Sequence, residues 1–415
     1  MDFTPSSEKL MSTLIDHFDD LRVKRTRFQQ KQVDNVIKIL YSEIKAANRF
    51  VDLLWSLGKV KRELQSSSML SPPTDLLGSK YVASPIREYI ETHLSEYLVF
   101  STKLGDRAVE IRFGILADES PANLVHLDRL AKKMITWLKI ASTYSPRRCA
   151  TRLRVFCYLT PFKKKLPDSQ FHILGAENCN SAVTTSCTRN GDILLYRQEE
   201  FFKVFIHETF HVLGLDFSNM PSAGFRAKAH EIFPIKSEFR LYEAYAEFWA
   251  CTMNALFCAF SLLGPSPSWD NFVLYSDFCL RFEQVFSILQ CVKVLDFMGM
   301  HYTHLYGTDS VSQSIRKYLF KEKSNVFAYY VVKAILLYYN GAFMHWCWRN
   351  NTNLLAFNKN AAHMALFLSF IRRHYKKEQF LEDIRKMQGF LKTIKKEAKE
   401  EELTKTLRMT LCEMG

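Results

Sequence analysis

His207-Glu208-Thr209-Phe210-His211 decides how this chain is read. The stretch lies inside a run, Gln198 to Leu213, whose residues predict a helix that is apolar on nearly all sides after its first turn. A helix of that kind is buried. Residues four apart share one helical face, so both imidazoles point the same way, as two ligands of one zinc ion must. Glu208 sits beside them, where a carboxylate can take a proton from a metal-activated water. Glu199 and Glu200 are expected in the first turn, where the helix dipole favours negative charge. Gly214, just past the last apolar turn, is expected to cap the C-terminus.

A catalytic zinc usually has three protein ligands and one open position. Two stretches compete for the third. His211-Val212-Leu213-Gly214-Leu215-Asp216-Phe217 resembles the metzincin pattern HExxHxxGxxH. Its decisive position is Phe217, which cannot bind a metal, and Asp216 is one place out of register. Leu241-Tyr242-Glu243-Ala244-Tyr245-Ala246-Glu247-Phe248 is apolar apart from two carboxylates four residues apart. It resembles the second ligand helix of gluzincins. That resemblance implies Glu243 as the third zinc ligand and Glu247 as the partner of the first histidine. Physical chemistry agrees, because a zinc-bound imidazole gives its free N–H to a carboxylate or carbonyl, and acids on an apolar helix need a cation or donor. Glu247, Glu231, Glu238 and Asp216 are the rival ligands.

Working outward, Val109 to Ile115, Arg152 to Leu159, Ser181 to Thr185 and Ile193 to Tyr196 read as strands, and Leu124 to Ala141 as an amphipathic helix. The order strand, helix, three strands, HExxH helix is the one expected of a zincin catalytic domain. The fold class is therefore α+β and predominantly helical: a twisted mixed sheet with its active-site helix, flanked by helical regions. Four segments are expected: residues 1–75, helical with a linker; 76–235, the sheet with the HExxH helix; 236–373, a helical part with the third ligand; and 374–415, a charged helix. Ser7 to about Leu64 reads as helices, with one apolar stripe at Leu10, Leu14, Phe18 and Leu21, and Ser66 to Pro73 as a loop. Ser181, Ala182 and Val183 are nominated as an edge strand that pairs with extended substrate.

The chain has 415 residues, is 47% hydrophobic and carries a net charge of +13. It can bury a large core. Its first residues are polar, with no secretory apolar region. Ten cysteines stand without CxxC pairs, which predicts reduced thiols in a cytoplasmic setting. Phe248–Gly264 and Phe327–Trp348 have about the length of a membrane span, yet the first runs straight on from the ligand helix and the second is interrupted by Lys333 and Asn340-Gly341, so both are read as core helices. Basic clusters at Arg22-Val23-Lys24-Arg25, Lys163-Lys164-Lys165, Arg372 to Lys377 and Lys395-Lys396 are dispersed and carry no nucleic-acid-binding motif.

Ile193 to Arg197, Lys203 to His211, Leu215 to Ser218, Leu289 to Asp296 and Asn325 to Tyr330 together resemble a group of metallopeptidase-like proteins encoded by giant DNA viruses. The resemblance implies a protein acting in infected-cell cytoplasm or packaged in a particle. The expected activity is hydrolysis of a protein or peptide substrate by a water activated on one Zn2+, with Glu208 as general base. Tyr242, His230, His301 and Tyr302 are candidates for the oxyanion donor, Tyr302 first. Two other classes compete: a catalytically inert zincin-fold structural or interaction protein, and a basic nucleic-acid-binding protein.

Overall fold

Alternating side chains build a six-stranded mixed sheet: β1 (Lys61–Ser66), β2 (Leu94–Leu104), β3 (Arg107–Leu116), β4 (Arg152–Cys157), β5 (Ala182–Thr184) and β6 (Asn190–Leu195), ordered β1-β2-β3-β4-β6-β5. β3, β4 and β6 run parallel, and the other neighbours pair antiparallel. The parallel step from β3 to β4 needs a long crossover, supplied by the helix Pro121–Tyr144. The antiparallel step from β2 to β3 needs only Gly105-Asp106, where Gly105 takes the positive φ of 61° that such a turn demands. This computed structural model describes the chain except residues 1, 16–24, 68–72, 117–120, 222, 265–267 and 398–400. Phe18, Leu21, Arg22-Val23-Lys24 and most of the Ser66–Pro73 loop lie outside the described residues.

The contacts divide the chain into two units. The sheet unit comprises residues 38–163 and 180–218. One face of its sheet presents Phe100, Ile111, Phe113, Val155, Ile193 and Leu195, all buried. Helices cover it: Phe113 meets Phe201 of the helix Phe201–Val212, and Phe100 meets Trp55 of the helix Arg27–Ser56. Among the described residues the opposite face is covered along one half, where Leu77, Val82, Ile86 and Ile90 pack on Tyr97, Val99, Phe156 and Leu194.

The HExxH helix is shorter than expected. It spans Phe201–Val212, because Glu200 adopts a left-handed conformation (φ 60°) that a helix cannot include. Glu199 and Glu200 therefore precede the first turn. At the other end Gly214 (φ 65°) closes a Schellman motif: its N–H donates to the His211 carbonyl, and that of Leu215 to Phe210. Gly191, at the start of β6, lets this helix approach. A Cβ there would lie 2.5 Å from Val212 Cγ2 and 2.9 Å from Ala150 Cβ. Gly191→Ala should therefore destabilise by about 1–3 kcal/mol, read as a lower urea midpoint with an unchanged m-value.

Three sequence expectations are corrected. β1 falls within the stretch read as helical; the preceding helix stops at Ser56, and Gly58 (φ 63°) caps it. β1 is a solvated edge strand, so it carries no apolar alternation to read. The cysteines are not all reduced: Cys149 and Cys187 are joined, with Cα atoms 4.8 Å apart. The main chain brings them there, as Ala150 and Arg152 donate to the Thr188 and Arg189 carbonyls. The remaining eight are buried and lie outside this disulfide. The last stretch is not one charged helix. It is a helix, Glu378–Glu397, a short helix, Glu401–Lys405, and then a non-helical tail with Leu407, Met409, Leu411 and Cys412 buried.

The helical unit comprises residues 1–37, 164–179 and 219–415. Its centre is the helix Leu241–Ser261, packed on Trp269–Phe297 and on a π-helical turn, Phe327–Val332. The tail threads this core and is held through its main chain. Lys333 Nζ donates to the Met409 carbonyl, Asn254 to that of Cys412, and Glu283 accepts from the Leu411 and Cys412 N–H groups. These partners are what make such polar side chains tolerable in a core. No described helix is long and apolar enough to cross a membrane.

Candidate metal centre

His207 and His211 project from one face of the HExxH helix, and their Nε2 atoms face each other at 3.0 Å. Two nitrogens bound to one tetrahedral zinc at about 2.0–2.1 Å stand roughly 3.3 Å apart, so the pair is close to the spacing of shared ligands. The helix cannot roll easily. Trp137, from the crossover helix, donates its Nε1–H to Thr209 Oγ1 at 2.7 Å and stacks on Phe210. Ser145 Oγ donates to the Leu213 carbonyl at 2.9 Å and pins the C-terminal turn.

The loop after Gly214 supplies a residue whose role was not read from the sequence. Asp216, fully buried, hydrogen-bonds His211 Nδ1 through Oδ2. Its other oxygen accepts from the Ser218 N–H and hydroxyl. With Nδ1 donating to a carboxylate, the tautomer of His211 leaves Nε2 a bare lone pair, as metal ligation requires. The sequence offers Asp216 only as a rival ligand. The reading that would have found it is an acid directly after the cap, placed to turn back on the last histidine.

Glu243 lies in the first turn of the helix Leu241–Ser261 and is 8% exposed. Both its oxygens accept hydrogen bonds, Oε1 from Asn325 at 3.0 Å and Oε2 from the Tyr329 hydroxyl at 3.1 Å. Asn325 and Tyr329 were likewise not assigned from the sequence. They lie 82 and 86 residues from Glu243, and the only local trace is their four-residue spacing. One ligand atom each from His207, His211 and Glu243 lie within 4.8 Å of one another, so this buried group could hold a metal ion. Two imidazoles and a carboxylate are a zinc donor set.

The other predicted residues fall as follows. Glu208 is buried beside the two histidines. Glu247 lies one turn beyond Glu243, is 3% exposed, and has Cys251 Sγ 3.9 Å from Oε2. Tyr302 is a core residue rather than a free donor: its hydroxyl donates to the Tyr375 carbonyl at 3.1 Å, and its ring meets Phe380 edge-on. Burial pushes its phenol well above the usual range. His230 and His301 are exposed.

No protein-family model matches this chain, and neither a curated protein nor a solved structure does. Ser181, Ala182 and Val183 lie at the sheet's edge: β5 is an outermost strand, antiparallel to β6, and adjoins the HExxH helix. Tyr196 donates to the Ser181 carbonyl and Thr185 to that of Asp192. In an antiparallel ladder this alternation turns the main-chain groups of Val183 toward β6 and those of Ala182 and Thr184 away from it.

Proposed function

We propose that the chain is a zinc metallopeptidase with a zincin-like catalytic domain. The observation that carries this reading is the His207–His211–Glu243 group, with Asp216 holding one imidazole and Asn325 and Tyr329 holding the carboxylate. Outer partners of this kind orient ligands before an ion arrives. The mixed sheet with an antiparallel edge strand, a crossover helix and the HExxH helix supports the domain assignment.

Zinc bound by these three residues would supply a Lewis acid and lower the pKa of a water toward neutrality. Glu208 accepts the proton of the attacking water and returns it to the leaving nitrogen. Its burial keeps bulk water from competing for that proton. Ala182 and Thr184, with main-chain groups directed off the sheet, hold an extended peptide by β-augmentation.

Metal analysis of the purified chain tests the reading. We expect one zinc per chain, loss of zinc in a His207→Ala, His211→Ala double variant, and peptide hydrolysis that a chelator abolishes and zinc restores. A chain that binds no zinc overturns the proposal. One that binds zinc stoichiometrically yet cleaves nothing in a broad peptide library is the inert zincin-fold protein instead.

A further inference from the structure

The uncovered half of the sheet's outer face carries charge that no run of sequence announces. The register sets side chains in rows across the strands. The row Val99–Arg112–Phe156–Leu194 lies toward the half packed by Leu77, Val82, Ile86 and Ile90. The next row is Ser101–Glu110–Arg154–Asp192, with Lys61 of β1 opposite Ser101. Beyond it comes Lys103–Ala108–Arg152–Asn190. All of these two rows but Asp192 line an open hollow of about 870 Å³, together with Gly58 and Lys59 from the turn before β1, Arg112, and the buried Leu54, Val109 and Leu153. A second hollow shares Ala108, Arg152 and Asn190 and adds Thr151, Arg189 and one acid, Asp106, which leaves the cations in excess.

The charges do not cancel. Glu110 pairs with Arg112, and Asp192 takes both arms of Arg154 at 2.8 Å. That uses the two acids of these rows. Lys59, Lys61, Lys103, Arg152 and Arg189 are exposed, and among the described residues no carboxylate pairs with them. The positions between them are small or polar: Ser101, Ala108 and Asn190. The apolar side chains of this face are buried under its covered half. The apolar residues that line the hollow, Leu54, Val109 and Leu153, are buried, so a protein partner finds no large exposed apolar anchor among its described lining residues. What it offers is repeated positive charge, from Lys61 on β1 across to Arg189 before β6. Four strand spacings of about 4.8 Å make that roughly 19 Å, the length of about five stacked nucleotides.

We propose that this half-face is a binding site for the phosphodiester backbone of a single-stranded nucleic acid, held by Lys59, Lys61, Lys103, Arg152 and Arg189 without base recognition. The site lies within the sheet unit and is separate from the metal centre. The net charge of +13 acquires a location: the basic clusters read from the sequence are elsewhere, and these five cations come from four separate parts of the chain. Nucleic-acid binding, one of the classes that compete at the level of the sequence, is then a second activity beside the proposed hydrolysis.

The test uses the full chain and a fluorescein-labelled 15-nucleotide oligothymidylate, with anisotropy read from low salt to about 200 mM. Binding should weaken with salt, each contacting cation contributing about 0.7 to the slope of log K against log salt. A Lys61→Ser, Lys103→Ser, Arg152→Ser triple variant should bind at least about tenfold more weakly and lose about 2 from that slope. A control with the same loss of charge, Lys228→Ser, Lys317→Ser, Lys392→Ser, should bind nearly as the parent does. Both variants should keep the parent's zinc content and thermal midpoint. The proposal is overturned if the parent does not bind the oligonucleotide at low salt, or if the two triple variants lose affinity equally. It is also overturned if a polyglutamate peptide of equal charge displaces the oligonucleotide as readily as unlabelled oligothymidylate does, since the partner would then be an acidic protein.

Discussion

Glu208→Gln should leave one zinc per chain and lower kcat/KM for peptide hydrolysis by about 10²–10⁴-fold. Gln keeps the size of Glu and neither adds nor removes a metal ligand, so the two imidazoles and Glu243 are untouched. It cannot accept a proton. The side chain is 8% exposed, so the substitution exchanges one buried polar group for another of the same shape and removes a charge. The fold should survive, and the thermal midpoint of the zinc-loaded variant reports whether it does. Metal content and cleavage of a quenched fluorescent peptide library then separate the two roles. Retained zinc with lost cleavage is the expected pair. Retained zinc with parental cleavage removes Glu208 from the reaction and leaves the proposed mechanism without a base.

What was legible in the sequence follows physical lines. β3, β4 and β6 alternate because each lies between a helix-covered face and one that is charged at one end and packed at the other. Both faces leave a period-two trace, as in Val109-Glu110-Ile111-Arg112 and Leu153-Arg154-Val155. β1, with Leu64 half exposed, buries nothing that would impose the pattern. The His207–His211 pair was readable because a helix turns sequence spacing directly into geometry. The start of that helix was not, because the left-handed turn at Glu200 belongs to a residue with no preference for it. Asp216 and Asn325 were missed for different reasons. Asp216 reaches His211 by doubling back over Gly214, so its role is visible only once the cap is known to be a Schellman turn. Asn325 meets Glu243 across the packing of the helical core, which no local pattern encodes. The cationic half-face is the extreme case: a sheet register gathers residues that lie up to 130 positions apart, from Lys59 to Arg189.

Glu243→Ala should cost more zinc affinity than any change in the groups around it. The three ligands are not equally replaceable. His207 and His211 sit on one helix and bring two donors whatever else happens, so the carboxylate is what closes the set at three. Removing it leaves a two-coordinate site and strands the Asn325 amide and Tyr329 hydroxyl that donate to it. We expect zinc affinity, measured by competition with a chromophoric chelator, to fall by more than about 100-fold. Asp216→Asn, Asn325→Ala and Tyr329→Phe each disturb a partner and not a ligand, and should cost about 10–100-fold. The ordering matters more than any single value. A ligand change must exceed a partner change, because the partner acts only by orienting an atom that is still present. Glu247→Ala completes the series. If Glu247→Ala strips the zinc while Glu243→Ala retains it, the acid one turn later is the ligand. Asn325 and Tyr329 would then be ordinary donors to a buried carboxylate with no part in the metal site.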